Sequence, residues 1–372
     1  MRGLGLIVGG VIAPLQLDEV ASWAPGSVTC EVVEGEGQDW RALELPWGDD
    51  RIRLTRSVPG DGRFEGQLRA LTGAAGRADV LRTGRTGGRS ILLGQRCASA
   101  WQLIAVANAD ESRFPEDWEL LLRRIAQRLN GMIFREGAFL DHELRLFLAP
   151  DRDPHPDSAL PLLADALERA QAAERRIGLF GLEPPPLPPL PGAEEIQLRP
   201  AREVAARCQA LWAIASVASG VEPSAASELL RSRDVGEVET AKEAALLAGE
   251  ASETDRFAHR KEALHALLWA LGRVEILGAP RHETDFEEAT RRLRRLSGTE
   301  FLERAQLRPT EEILEEVAVH YACHGALSAI AAAGRPPEET QLRVAVVRER
   351  TLALLWLIQH LRQDWDALEG SL

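Results

Sequence analysis

The most metal-like spacing in the chain is Glu316, His320 and His324, which recur at i, i+4 and i+8 with Cys323 adjacent. Two histidines four apart on a helix can share a Zn²⁺, and a carboxylate can serve as third ligand. Three ligands strung over two turns do not converge easily on one ion, and no H-E-x-x-H supplies a base. The competing assignment is core or capping histidines.

A second constellation needs no metal. Phe257 to Gly272 is apolar nearly all round, with Leu264, Leu267, Leu268 and Leu271 on one face and Ala258, His265, Ala266 and Trp269 toward the other. Such a helix is expected at the centre of a bundle. At 100° per residue Arg260 falls on the leucine face, where a lone guanidinium is costly. In the last helix Glu349 shares a face with Leu342, Val346, Ala353 and Trp356. The expectation is a buried Arg260–Glu349 ion pair that fixes helix register. Arg260, Glu262, Trp269, His320, His324, Glu349 and Arg350 form the candidate polar framework, and the same residue types could line a pocket.

Other chemistry is weaker. His259 and His265 point to different sides, and no G-x-S-x-G elbow is present. Cys97 and Cys323 are nucleophile candidates only if exposed and lowered in pKa. Gly3-Leu-Gly5-Leu-Ile-Val-Gly9-Gly10 has a glycine-rich look but not the G-x-G-x-x-G spacing, and reads as a buried strand. Gly84-Arg-Thr-Gly-Gly-Arg-Ser90 could cradle an anion or simply be a surface loop. No cofactor is expected.

The elements that must position these residues fall into two kinds. Residues 1–150 mix strand signals (27–33, the alternating 51–58, 101–107, 132–134, 144–148) with an amphipathic helix over 117–129, capped by Asn130-Gly131. An α+β sheet domain is expected there, followed by an all-α helical bundle domain. Residues 151–200 read as a linker: a polar stretch, a helix from about 159 to 176, and the polyproline run Glu183 to Gly192. That run is either a stiff strap packed across the domain or a ligand for aromatic-groove modules. Residues 201–372 read as helical throughout. Val204, Cys208, Leu211 and Ala215 share a face, Ser252–Asp255 and Thr284–Glu287 look like capping boxes, and long helices run 309–334 and 338–365.

Composition bounds the partners. The chain has 372 residues, 45% hydrophobic and 27% charged, with a formal net charge of −13. That argues against nucleic acid and against an anionic membrane surface. Lysine occurs only at Lys242 and Lys261, and a GC-rich coding sequence accounts for the arginine excess, which alone is no sign of phosphate recognition. Four scattered cysteines suit free thiols in a reducing compartment, so a cytoplasmic, bacterial protein is expected.

Four motifs in order carry a resemblance. Arg202-Glu-Val-Ala-Ala-Arg207, Arg260-Lys-Glu-Ala followed by Leu268-Trp-Ala-Leu-Gly272, Arg348-Glu-Arg-Thr-Leu-Ala-Leu-Leu-Trp-Leu357, and Asp364-Trp-Asp366 resemble the signature of the 4272 family of domains of unknown function. Arg175-Arg176 with Leu190-Pro191 is a looser match, and together they cover roughly residues 165–372. Tyr321-Ala-Cys-His-Gly-Ala326 departs from the family's Tyr-Arg-x-His-Trp-Ala at Ala322 and Gly325. The resemblance implies a helical fold and carries no activity. With no acid–base pair, metal box or phosphate loop in evidence, the leading expectation is a non-catalytic interaction or regulatory protein whose partner is another protein. The alternative is a hydrolase-like enzyme or small-ligand sensor around Arg260 and Glu349, with the ligand unknown.

Overall fold

The computed structural model describes residues 5–23, 30–36, 39–47, 50–84, 88–108, 118–183, 185, 187–236, 238–250, 255–337 and 340–372. Two compact units emerge: Met1–Ala164 with Glu194–Ile196, and Asp165–Ala193 with Gln197–Leu372. A sheet unit therefore precedes a helical one, as the α+β then all-α pattern requires.

In the first unit, β1 (Gly5–Gly9), α1 (Leu17–Trp23), β2 (Glu31–Glu34), β3 (Ala42–Trp47), β4 (Asp50–Ser57), α2 (Gly62–Thr83), α3 (Gly88–Ala98), β5 (Gln102–Asn108), α4 (Trp118–Arg128), β6 (Met132–Arg135), β7 (Ala138–Leu140) and β8 (Leu146–Leu148) follow in order. The eight strands form one sheet in the order β2-β3-β4-β5-β1-β6-β7-β8, every neighbouring pair antiparallel. Side chains alternate across a strand. Ile7 thus joins a core with Val20 of α1 and Leu121, Leu122 and Ile125 of α4. Leu6 and Val8 join another with Phe64 and Leu71 of α2 and Leu93 of α3. The Gly5–Gly9 run is a buried central strand rather than a phosphate loop; Gly3 and Leu4 lie outside the described residues.

On β4, Arg51 and Arg53 face outward toward Glu44, at 3.6 and 3.8 Å. Arg56 has the parity of Ile52 and Leu54 and is buried with them, its guanidinium 4.9 Å from the Trp40 ring. Helices α2 and α3 have no strong sequence signature, because Gly66, Gly73, Gly76 and Gly94 interrupt them and glycine costs ~1 kcal/mol per helical position. Packing overrides that weak prior. Asp61 caps α2, accepting from the Arg63 N–H at 2.9 Å, and Gly84 ends it at φ 76°. The expected Gly84–Ser90 loop is thus narrowed: Gly84 is a helix cap, Arg89 and Ser90 are helical, and residues 85–87 lie outside the described residues.

The helical unit comprises α5 (Ala164–Gly178), α6 (Ala201–Ala218), α7 (Pro223–Ser232), α8 (Ala241–Leu247), α9 (Arg260–Ala270), α10 (Phe286–Arg294), α11 (Gly298–Glu303), α12 (Thr310–Ala332), α13 (Val344–Leu357) and α14 (Trp365–Ser371). The short helix α9 is buried on both faces and packs against α6 and α13; α12 covers the other side of α13. Gly272 stops α9 at φ 65°, with its N–H donating to Trp269 O and that of Arg273 to Leu268 O, both at 2.8 Å.

Two expectations change. The last helix ends at Leu357 rather than Trp365, because the chain turns through Gln359, Leu361 and Arg362 at φ 51°, 51° and 52°. It restarts as α14, capped by Asp364, which accepts from the Ala367 N–H at 2.8 Å. Helix α10 is capped by Asp285, not by a Thr284 box. Ser252–Thr254 lie outside the described residues.

The proline run crosses the helical unit as a strap, with Leu190 buried; Pro184 and Pro186 lie outside the described residues. A Cβ at Gly325 would overlap the Leu187 side chain. The glycine where the family pattern has tryptophan thus makes room for the strap. Gly325→Trp is expected to unseat Leu187 and cost about 1–3 kcal/mol by overpacking, measured by thermal unfolding.

Candidate functional site

The four motifs converge on two charge networks within the helical unit. Arg260 and Glu262 on α9 lie about 200° apart, so each seeks its own partner. Arg260 Nη1 donates to both Glu349 carboxylate oxygens, at 2.8 and 2.7 Å, as its place on the leucine face required. Its Nη2 donates to Glu369 of α14, and Glu243 Oε1 lies 3.7 Å from its Nε. Glu243 also receives a fork from Arg207 of α6, at 2.6 and 2.7 Å. Lys242 closes the set at the surface, 2.9 Å from Glu369. Trp365 roofs it, its ring 4.0 Å from the Arg207 guanidinium.

In the second network Arg350 reaches Glu262 through Nε at 3.1 Å and Nη2 at 2.9 Å. Glu262 also accepts from the Thr284 N–H, and from the Thr284 hydroxyl at 2.8 Å. Arg350 Nη1 spends itself on the Leu277 and Gly278 carbonyls, both at 3.1 Å. Arg260 and Glu262 are 1% and 0% exposed and Glu349 and Arg350 3% each, so these groups face one another rather than solvent.

Electrostatics follow the geometry. Burial works against the Arg260 charge, but Glu349, Glu369 and Glu243 outweigh it and raise its pKa. For Glu349 burial wins over the pull of Arg260 and pushes its carboxyl up. Burial also acts upward on Glu369, yet its bonds to Lys242 and Arg260 hold its carboxyl down.

The remaining candidates disperse. Trp269 is buried away from both networks, under the Arg308 guanidinium at 5.1 Å. His320 lies 3.0 Å through Nδ1 from the Glu316 carbonyl one turn back, which requires Nδ1 to carry the proton. Burial drives its pKa down to about 3. Glu316 is engaged by Arg176. His324 is half-buried and meets the Leu372 backbone. The Glu316, His320, His324 row is therefore not drawn together. Among the described residues no three His, Cys, Asp or Glu side chains are placed to share a metal ion. Cys97 and Cys323 are buried, and burial pushes both thiols up to about 12, opposite to what a nucleophile needs.

Sequence reasoning missed Arg207, Glu243 and Glu369. Arg207 sits on the buried face with Val204 and Leu211, and Thr240-x-x-Glu243 is a capping box. Both were legible signals. Glu369 was not, since only the turn at Gln359 brings it back.

One open feature adjoins the second network. A cavity of about 430 Å³ is lined by His265, Glu275, His282, Thr284, Glu288 and Arg350, among others.

A sheet unit joined to a helical unit pinned by buried guanidinium–carboxylate pairs defines a two-unit α+β and all-α protein, with no helix among the described residues long and apolar enough to cross a membrane. Residues 169–368 match the family described as Domain of unknown function (DUF4272), and the chain belongs to that family. No curated protein and no solved structure matches it.

Proposed function

We propose that this is a non-catalytic interaction or regulatory protein of the bacterial cytoplasm. The observation that carries the reading is the mutual pairing of the signature side chains. Arg207, Arg260, Glu262, Glu349 and Arg350 bond to one another, to Glu243, Glu369 and Thr284, and to backbone carbonyls. A catalytic acid or base needs a free valence within reach of substrate; these groups support architecture. The test is a turnover screen on esters, phosphoesters and peptides, beside light scattering of the protein mixed with cytoplasmic extract. Turnover at background with a shift to a defined complex is expected. Turnover abolished by Glu262→Gln would overturn the reading.

A small-ligand sensor is the second reading, favoured by the cavity beside Arg350. Its carboxylates would take an organic cation, and a ligand there would pull directly on the Glu262–Arg350 pair.

A further inference from the structure

We infer that α14 is a displaceable plug and that Glu369 occupies, in cis, a site for the carboxylate of a small molecule. The ionic cluster beneath α14 contains Arg207, Lys242 and Arg260 against Glu243 and Glu349. It is short of one negative charge, and Glu369 supplies it. The Glu369 carboxylate is held by Lys242 at 2.9 Å and by the Arg260 guanidinium, and it reaches them from the lip, since Lys242 is 38% exposed. Lys242 at the lip and the buried Arg260 beneath it converge on one position, and two converging cations hold a carboxylate whatever chain brings it.

The plug is short, and Trp365 and Leu368 are its buried apolar side chains. It is seven residues long and hangs on a connection with three non-glycine residues, Gln359, Leu361 and Arg362, in the left-handed region. Such backbone persists only while its surroundings enforce it. Gln363 Oε1 and Trp365 Nε1 are buried with no hydrogen-bond partner among the described residues, and Asp366 Oδ1 comes no nearer a cation than 4.0 Å, at Lys242. Each is a polar group that hydration on opening would satisfy. Local strain, unpaired polar atoms and a short helix mark the segment as one that opens without global unfolding. Opening lifts Trp365 from Arg207 and Glu369 from Arg260, and leaves the cationic rim vacant.

The experiment uses the full chain. Glu369→Ala empties the carboxylate position, and its thermal unfolding is followed in acetate against chloride at equal ionic strength. Acetate at ten times its Kd is expected to raise the variant's Tm saturably by about 3–6 °C and to leave the unsubstituted protein unmoved. Equal shifts in both proteins, or none in either, would overturn the site. Hydrogen exchange of the unsubstituted protein tests the plug. Amides of residues 366–372 should exchange at least about 100-fold faster than those of α9, and exchange at the α9 rate overturns it. If Glu369→Ala does not fold, Glu369→Gln decides by the same readout. Faster exchange confined to α14 supports the plug, and an equal loss of protection in α9 makes α14 ordinary core.

Discussion

Arg260→Met is expected to cost the protein about 3–5 kcal/mol at pH 7, the penalty for stranding buried charge. In a unit of this size that is a fall in Tm of about 6–20 °C. Methionine replaces the apolar stem, so the loss isolates the guanidinium. Glu349 suffers most, because both hydrogen bonds to its carboxylate come from Arg260, with Arg348 no nearer than 4.0 Å. Glu369 keeps Lys242, and Glu243 keeps Arg207. Glu349→Gln should cost less than Arg260→Met, since Glu369 still neutralises Arg260. The double variant should fall short of the sum of the two losses by about 1–3 kcal/mol, as contacting residues do. Urea unfolding of the four proteins measures it, and additive losses would refute a coupled pair.

Such pairs are not there for stability alone. Well-packed apolar residues often do as well, and a buried ion pair is best understood as a device for specificity. The arrangement here fits that role. Helix α9 presents Arg260 and Glu262, and α13 presents Glu349 and Arg350 in the opposite polarity. A slip that set Arg260 against Arg350 would oppose like charges and strand both carboxylates. Arg207–Glu243 pins α6 to α8 by the same logic. The apolar surfaces of these helices, rich in leucine and alanine, offer little register of their own.

How far the sequence could be read follows from this. Arg260 and Glu349 were legible because a charge at helical spacing within a leucine face has only one inexpensive outcome. Helices α9 and α12 were legible from periodicity and from Gly272 and Pro309. The end of α13 was not: Gln359, Leu361 and Arg362 carry no turn signature, yet all three take left-handed backbone. With that turn went Glu369, the partner that completes the cluster. The helices α2 and α3 were lost for the converse reason, since their glycines suppress the local signal and only burial of Phe64, Leu71 and Leu93 restores it.

Acid should destabilise the helical unit through its buried histidines. His320 is 1% exposed, and burial holds its pKa near about 3, against 6.5 for the free side chain. Between those values the unfolded chain binds a proton that the folded one refuses. Stability is therefore full above pH 6.5 and is lost as pH falls toward 3. Each such histidine contributes a slope of ~1.4 kcal/mol per pH unit, so His320 alone removes ~2 kcal/mol between pH 6.5 and 5. His360, lowered to about 4 by burial, acts in the same sense, and His265 and His324, both lowered chiefly by burial, add to it. The raised carboxyl of Glu349 acts oppositely, since the folded protein takes up its proton before the unfolded chain does, and it offsets part of the histidine effect. Denaturant midpoints taken at half-unit steps from pH 7.5 to 5 measure the slope. His320→Asn keeps a donor for the Glu316 carbonyl and removes the titration, so its profile should be shallower by about one proton. Parallel profiles would mean that His320 charges without cost, against the burial of its ring.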